Sequence, residues 1–365
     1  MGVTVIELAT KSTKTTDIKF YKPTLSRDEL QTVLDCLVED QLYTGSIVER
    51  FEKEFKSTFR TKYAITVNSL TSAYHLALLA LKVGENDSVF LSTFAPHQAL
   101  DAILMVNAQP IPIELGKFSY HIDVEIFNQK VKEYNPKAIV VDHTFGCIFD
   151  LSKYEVGEVP VIEDFSEALG AETEKVKVGK QGVISIAGLS TNHIITIGNG
   201  AVITTQNDEM AKFIKYSKYG SGEVRSDKNP KLDYNLIDYQ AAMGIEQLSK
   251  LGLIIERKKK IAQLYLQAAL SASHETYFKN ASEELFNRFP IVVSKSYDEV
   301  ERYFQSLRIG TEKTTPQPIH KILELPNSDF PNAERLFQRG HCLPIYPNLS
   351  KDNINRIANS IRGIY

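Results

Sequence analysis

Between Tyr63 and Thr205, short apolar β-type runs alternate with segments whose apolar residues recur at helical spacing. That alternation predicts crossover connections between the strands of a largely parallel sheet. Residues 63–67 read as a buried strand, and residues 71–81 follow as a helix with Ser69 placed to cap it. Residues 88–91, 110–113, 137–141, 159–162, 183–187 and 201–205 are the other predicted strands. Beyond about Asn207 the pattern becomes helical: residues 237–251 continue through the charged cluster 256–260 to Leu270, with the basic residues expected on a solvated helix face. From about Ser271 a smaller α/β unit is expected, with a strand at 286–293 and a closing helix at 352–361.

Composition narrows the class. A chain of 365 residues fits a large domain plus a smaller one, and 43% apolar with 24% charged residues is globular, which excludes disordered and fibrous readings. Lys+Arg 42 against Asp+Glu 45 gives a net charge of -3, with none of the basic excess that a nucleic-acid partner would require. The three cysteines, Cys36, Cys147 and Cys342, are too far apart for a zinc site or a disulfide framework and point to a reducing compartment. The first 20 residues lack the apolar core of a secretory signal, and no run approaches the roughly 20 apolar residues of a membrane span. A cytoplasmic protein with no membrane, nucleic-acid or metal partner is expected.

In an open parallel sheet, ligands sit beyond the carboxyl ends of the strands. Four polar stretches fall there. Asn68-Ser-Leu-Thr-Ser72 could hold a phosphate on hydroxyls and helix-opening N–H groups, or Ser69 could simply cap the helix. In Val161-Ile-Glu-Asp-Phe-Ser-Glu167, Asp164 could pair with a cationic ring nitrogen or cap the next helix. Asp142-His-Thr-Phe-Gly146 offers His143 as a ligand contact or as a structural imidazole. The fourth, residues 189–200, ends in a Gly-Asn-Gly turn able to approach a ligand closely.

Taken in order, these segments resemble the DegT-type (DegT/DnrJ/StrS) sugar aminotransferases. The resemblance is carried by Leu42-Tyr-Thr-Gly45 with Val48 and Phe51-Glu52, by Val67-Asn-Ser-Leu-Thr-Ser-Ala-Tyr-His-Leu-Ala-Leu78, and by Ile162-Glu-Asp-Phe-Ser-Glu-Ala-Leu-Gly-Ala171. Asp238-Tyr-Gln-Ala-Ala-Met-Gly244 with Gln247-Leu248, and Leu343-Pro-Ile-Tyr-Pro347, extend it over nearly the whole chain. It implies an α/β, aspartate-aminotransferase-like fold: a large domain with a mostly parallel sheet and an N-terminal arm over residues 1–245, and a smaller C-terminal α/β domain over 246–365. It also implies a pyridoxal or pyridoxamine 5'-phosphate cofactor, a nucleotide-sugar substrate and a homodimer.

Carried over by position, Asp164 faces the ring nitrogen and Glu167 the ring oxygen, while Ser69, Leu70 and Thr71 occupy the phosphate cradle, with Leu70 where glycine is usual. Phe94 or His97 is the candidate stacking group, and Ser190 a substitute for the phosphate serine whose place Gly188 takes. Asn235 stands where many relatives have Arg; it and Tyr43-Thr44-Gly45 are candidates to cross into a partner's site, and Tyr43, Thr44, His143 and His320 are candidate substrate contacts.

The main departure is His193, in the slot of the Schiff-base lysine. An imidazole has no primary amine and cannot hold the aldehyde cofactor covalently, but it can move protons near neutral pH. Histidine at this position resembles the 3-dehydratases of nucleotide-linked 4-keto-6-deoxyhexoses. That resemblance implies non-covalent pyridoxamine phosphate, His193 as acid/base, Asp164 keeping the ring electron-withdrawing, and a 3-deoxy sugar product in polysaccharide synthesis. The alternative is a homologue that has lost catalysis and kept the fold for a binding or regulatory role.

Overall fold

A computed structural model of the chain describes residues 17–219, 231–278 and 284–364. Residues 1–16 of the expected N-terminal arm lie outside the described residues. Helices α1 (Arg27–Val38) and α2 (Ser46–Thr58) lead into β1 (Tyr63–Val67). Then come α3 (Leu70–Ala80), β2 (Ser88–Ser92), α4 (His97–Met105), β3 (Gln109–Ile113), α5 (Val124–Tyr134), β4 (Ala138–Asp142), β5 (Val161–Asp164), β6 (Ile184–Gly188) and β7 (Ala201–Thr205).

These strands form one seven-stranded sheet in the order β1-β7-β6-β5-β4-β2-β3. Strands β3, β2, β4, β5 and β6 run parallel, and β7 lies antiparallel between β6 and β1. Strand side chains alternate between faces. Ile65, Val67, Val140, Ile162 and Ile203 join α3 and α4 in one core, whereas Ala64, Ala187 and Val202 pack with α2 residues Phe51 and Phe55 on the opposite face. Both faces are covered, so β4, β6 and β7 are buried along their whole lengths.

The chain continues through α6 (Asp208–Lys218), α7 (Asp238–Ser249), α8 (Leu251–Ser271), β8 (Phe289–Val292), α9 (Tyr297–Ser306), β9 (Glu312–Lys313), α10 (Ile319–Ile322), α11 (Pro331–Arg339), β10 (Gly340–Leu343) and α12 (Lys351–Arg362). Strands β8, β10 and β9 form a small antiparallel sheet. Its core holds Phe289, Ile291, Phe304, Leu343 and Ile357 together with Ile261 and Tyr265 of α8, while Leu251 and Ile254 of the same helix join the large core.

The structure corrects the sequence reading at three places. The pattern expected to run unbroken from 237 to 270 is two helices meeting at Lys250, which caps both. Within the charged cluster expected to be solvated, Lys258 is buried: its ammonium donates to the carbonyls of Asn287 (3.1 Å) and Ile345 (2.8 Å) in the small unit. Strand β5 runs on past Ile162 to Asp164, because the buried Glu163 carboxylate is fully satisfied. It accepts the N–H groups of Gly179 (2.7 Å) and Gln181 (2.8 Å) and the Ser185 hydroxyl (3.0 Å), and it faces His143 Nε2 at 3.0 Å.

Candidate functional site

The sheet register gathers the polar loops at one end. Val67 pairs with Ala201 and Ala201 with Gly188, so β1 and β6 end level; Asp142 pairs with Asp164 and Asp164 with Ile186, so β4 and β5 end together two residues short of them at the same edge. The loops after them open into a cleft of about 610 Å³ whose lining also includes the 312–316 segment of the small unit. Leu70, Phe94, His97, His143 and Ser190 line this cleft, as do Asp164, Glu167 and His193.

Asp164 ends β5 and is buried. One carboxylate oxygen accepts the Ser166 N–H at 2.8 Å, and the other accepts the hydroxyl of Tyr74, which reaches across from α3. Burial pushes the Asp164 pKa up, and those bonds offset it only in part. A cation placed against this carboxylate would recover the lost solvation.

His193 follows β6. Its Nδ1 accepts the Ser190 N–H at 3.1 Å, which assigns the ring proton of the neutral imidazole to Nε2. Burial lowers the His193 pKa, opposed by the nearby Asp164 and Glu167 carboxylates. The imidazole also accounts for Gly188: a Cβ there would stand 2.5 Å from His193 Cε1 and 2.8 Å from Nδ1. The ring fills the space that a side chain at 188 would need.

Glu167 is the hub between the two units. Arg288, at the start of the small unit's sheet, donates to it through Nε (2.7 Å) and a terminal nitrogen (3.2 Å), joined by Asn287 Nδ2 (3.1 Å) and the Phe145 N–H (2.5 Å). Burial disfavours the ionised carboxyl, yet the Arg288 guanidinium and these donors hold it below the usual carboxylate range. Beside it, burial pushes the Asp142 carboxyl up to about 6 although the Thr144 hydroxyl donates to it.

The predicted phosphate cradle is occupied by its own helix. Ser69 caps α3, with its hydroxyl oxygen accepting the Ser72 N–H at 3.0 Å and pairing with the Ser72 hydroxyl at 2.7 Å. Of Ser69, Leu70 and Thr71, only Leu70 lines the cleft. Both stacking candidates line it: Phe94 is anchored in a core with Tyr120 and Phe145, and His97 Nε2 lies 2.7 Å from the Gln317 carbonyl.

Two histidines expected at substrate are spent internally. His143 lines the cleft, but its Nδ1 accepts the Phe149 N–H at 2.9 Å while Nε2 faces Glu163. His320 does not line the cleft; it is fully buried, stacked on Phe330, between the Thr93 hydroxyl (2.7 Å) and Glu334 (3.0 Å). Tyr43, Thr44 and Asn235 do not line this cleft either. The Tyr43 carbonyl accepts the Asp238 N–H at 3.0 Å, the Thr44 hydroxyl donates to the Leu236 carbonyl at 2.6 Å, and Asn235 donates to Asp233 at 3.1 Å. Ser190 contributes its backbone to His193, and its hydroxyl pairs with Asn199 at 3.4 Å.

Sequence reasoning missed Tyr74, Asn287, Arg288 and Glu312. Tyr74 lay inside a helix pattern, and the others sat in or near strands of the remote small unit, where no local motif marks a residue that folding brings to the cleft. Among the described residues no group of His, Cys, Asp and Glu is arranged to hold a metal ion, and no helix is long and apolar enough to cross a membrane.

A family model describing the DegT/DnrJ/EryC1/StrS aminotransferases matches residues 23–362. The chain belongs to that family. It is 28% identical over 362 residues to a GDP-perosamine synthase of Escherichia coli O157:H7, covering 95% of this chain and 98% of that one. It is 27% identical over 375 residues to the spore coat polysaccharide biosynthesis protein SpsC of Bacillus subtilis, covering 94% and 95%. Among solved structures it is similar to the E. coli GDP-4-keto-6-deoxy-D-mannose-3-dehydratase with bound hydrated PLP. There the TM-score is 0.84 at 18% identity, covering 94% of this chain and 99% of that one. The expected fold class, an aspartate-aminotransferase-like large domain with a smaller α/β unit, is what the family's structures and this sheet order share.

Proposed function

We propose that this family member is a pyridoxal/pyridoxamine-phosphate enzyme acting on a nucleotide-linked keto sugar in polysaccharide synthesis, and that it removes the sugar's C3 hydroxyl in preference to transferring an amine. The reading is carried by the imidazole of His193, which the resemblance places in the slot of the Schiff-base lysine; Gly188 leaves it room and the buried Asp164 carboxylate lines the same cleft. A site decaying without function has no physical reason to keep a carboxylate buried without a cation. The named activities of the GDP-perosamine synthase and of the 3-dehydratase support a nucleotide-sugar substrate.

The residues fit the cofactor without a covalent anchor. Asp164 would hold the ring nitrogen, Phe94 or His97 would cover the ring, and Glu167, fixed by Arg288, would face the ring oxygen. The first-turn N–H groups of α3 would meet the phosphate, since the Ser69 hydroxyl is already committed to its cap. When bound, the cofactor supplies an electron sink. His193 would supply the proton movement: its depressed pKa keeps the ring neutral near pH 7, and its basic nitrogen is Nδ1, which would exchange the Ser190 N–H for the incoming proton while Nε2–H stays a donor. The resulting imidazolium would hand that proton to the departing C3 hydroxyl.

A homodimer belongs to this reading. Helix α1 exposes Leu30, Leu34, Leu37 and Val38 on one face, an apolar stripe that a second copy would cover while bringing Tyr43, Thr44 and Asn235 to its partner's cleft. Size-exclusion chromatography with light scattering tests it, and Leu34→Glu should give monomers. The cofactor claim is tested by absorbance titration with pyridoxal and pyridoxamine phosphate, followed by borohydride reduction. Saturable binding with no pyridoxyl label on the chain is expected. A flat titration at millimolar ligand would favour the non-catalytic homologue.

A further inference from the structure

We infer that Glu312, with Asn192 beside it, is the sugar-reading wall of the cleft: its carboxylate receives hydroxyl groups of the neutral hexose ring and decides which sugar is accepted. This rests on the nucleotide-sugar reading above and deepens it.

Four carboxylates line the cleft: Asp142, Asp164, Glu167 and Glu312. Asp164 is spent on Ser166 and Tyr74 and Glu167 on Arg288, Asn287 and Phe145, while the buried Asp142 has one oxygen held by the Thr144 hydroxyl. Glu312 is exposed to the cleft and has no hydrogen-bond or ion-pair partner among the described residues. The cation whose field it feels, Arg288, has its guanidinium on Glu167 and on the Thr314 carbonyl (3.2 Å). Burial on its protein side raises the Glu312 pKa, as expected of a carboxylate short of donors.

Its location is as informative as its lack of partners. A second, smaller chamber of about 70 Å³ lies against the cleft, and Asn192, His193, Arg288 and Glu312 line both. Glu312 therefore stands at the junction beside the proton-moving imidazole, where the reacting end of a substrate must sit. Asn192 gives its carbonyl to Asn287 (3.1 Å), while its side-chain amide is unengaged among the described residues. A carboxylate offers two acceptors and no donor, and an amide offers both. Together they match the hydroxyls of a pyranose. A diphosphate would be repelled from Glu312, and an apolar ligand would leave it desolvated and unpaired.

The test is calorimetric titration of wild type, Glu312→Gln and Glu312→Ala with three pairs of probes: GDP-mannose and GDP, UDP-glucose and UDP, dTDP-glucose and dTDP. Circular dichroism confirms folding of each variant. For the pair that binds, wild type should prefer the sugar-bearing probe, and Glu312→Ala should weaken that probe by about tenfold or more, the scale of a lost charge-assisted hydrogen bond, while the bare diphosphate stays within about twofold. Glu312→Gln should lie between. Equal losses for both members of a pair, or none, would overturn the inference while leaving the nucleotide-sugar reading intact. If folded wild type binds none of the six probes, that reading falls and takes the inference with it.

Discussion

If Gly188 is glycine because His193 is histidine, the two positions are energetically coupled, and Gly188→Ala exposes the coupling. The added methyl would lie 2.5 Å from His193 Cε1, 2.8 Å from its Nδ1 and 2.9 Å from the Ser166 hydroxyl oxygen. Residue 188 lies in a regular strand, so the backbone itself accepts an L side chain. The ring must move by most of an ångström, breaking the 3.1 Å bond from Ser190. Overpacking of this kind costs about 1–3 kcal/mol. In a His193→Ala background the ring is gone, and of the three nearest contacts only the Ser166 hydroxyl remains. The cost of Gly188→Ala should then fall below about 1 kcal/mol, helped by the loss of glycine's unfolded-state freedom. Urea denaturation of the four proteins gives the cycle. A coupling of about 1–2 kcal/mol is expected; additivity within about 0.5 kcal/mol would refute the co-adaptation.

Other contacts carry expectations of their own. Arg288→Met leaves the half-buried Glu167 carboxylate without its cation, and should destabilise the protein by about 2 kcal/mol in urea unfolding; a change under about 0.5 kcal/mol would mean that Glu167 finds solvent or protonates at little cost. His320→Leu removes the link from Glu334 to Thr93, next to the cleft residue Phe94, and should cost about 1–3 kcal/mol and weaken pyridoxamine phosphate binding; Thr93→Val should reproduce the binding defect. Burial pushes the Lys258 pKa down to about 7 from 10.5, with Glu167 opposing weakly. Its folded pKa lies below its unfolded one, so the unfolded chain binds the extra proton between those values, and stability rises with pH across that window. The stability of wild type relative to Lys258→Met should therefore increase from pH 7 to pH 9; a flat or falling difference would contradict a buried, readily neutralised amine.

Much of the large unit was legible in advance because each of its strands is short, apolar and followed by polar residues. The register of β1, β4, β5 and β6 brings those polar residues together, and the family resemblance singled out Asp164, Glu167 and His193 among them, which line one cleft. Lys258 misled because charge at helical spacing is the same whether the opposite neighbour is water or a pair of backbone carbonyls. His320 misled for a related reason: an imidazole near a cleft and one wedged between Thr93 and Glu334 look identical in sequence. Asn287 and Arg288 stand 120 and 121 residues beyond the Glu167 they hold, and Glu312 lies further still. Only the packing of their separate sheet over the cleft reveals them.

The central claim is that His193 moves the proton that accompanies loss of a hydroxyl. It is tested most directly by incubating the protein with pyridoxamine phosphate, glutamate and a 4-keto-6-deoxy nucleotide sugar, and monitoring the sugar by mass spectrometry and NMR. The account predicts a 3-deoxy product from wild type and none from His193→Ala. An amino sugar as the main product, or equal 3-deoxy product from His193→Ala, would contradict it.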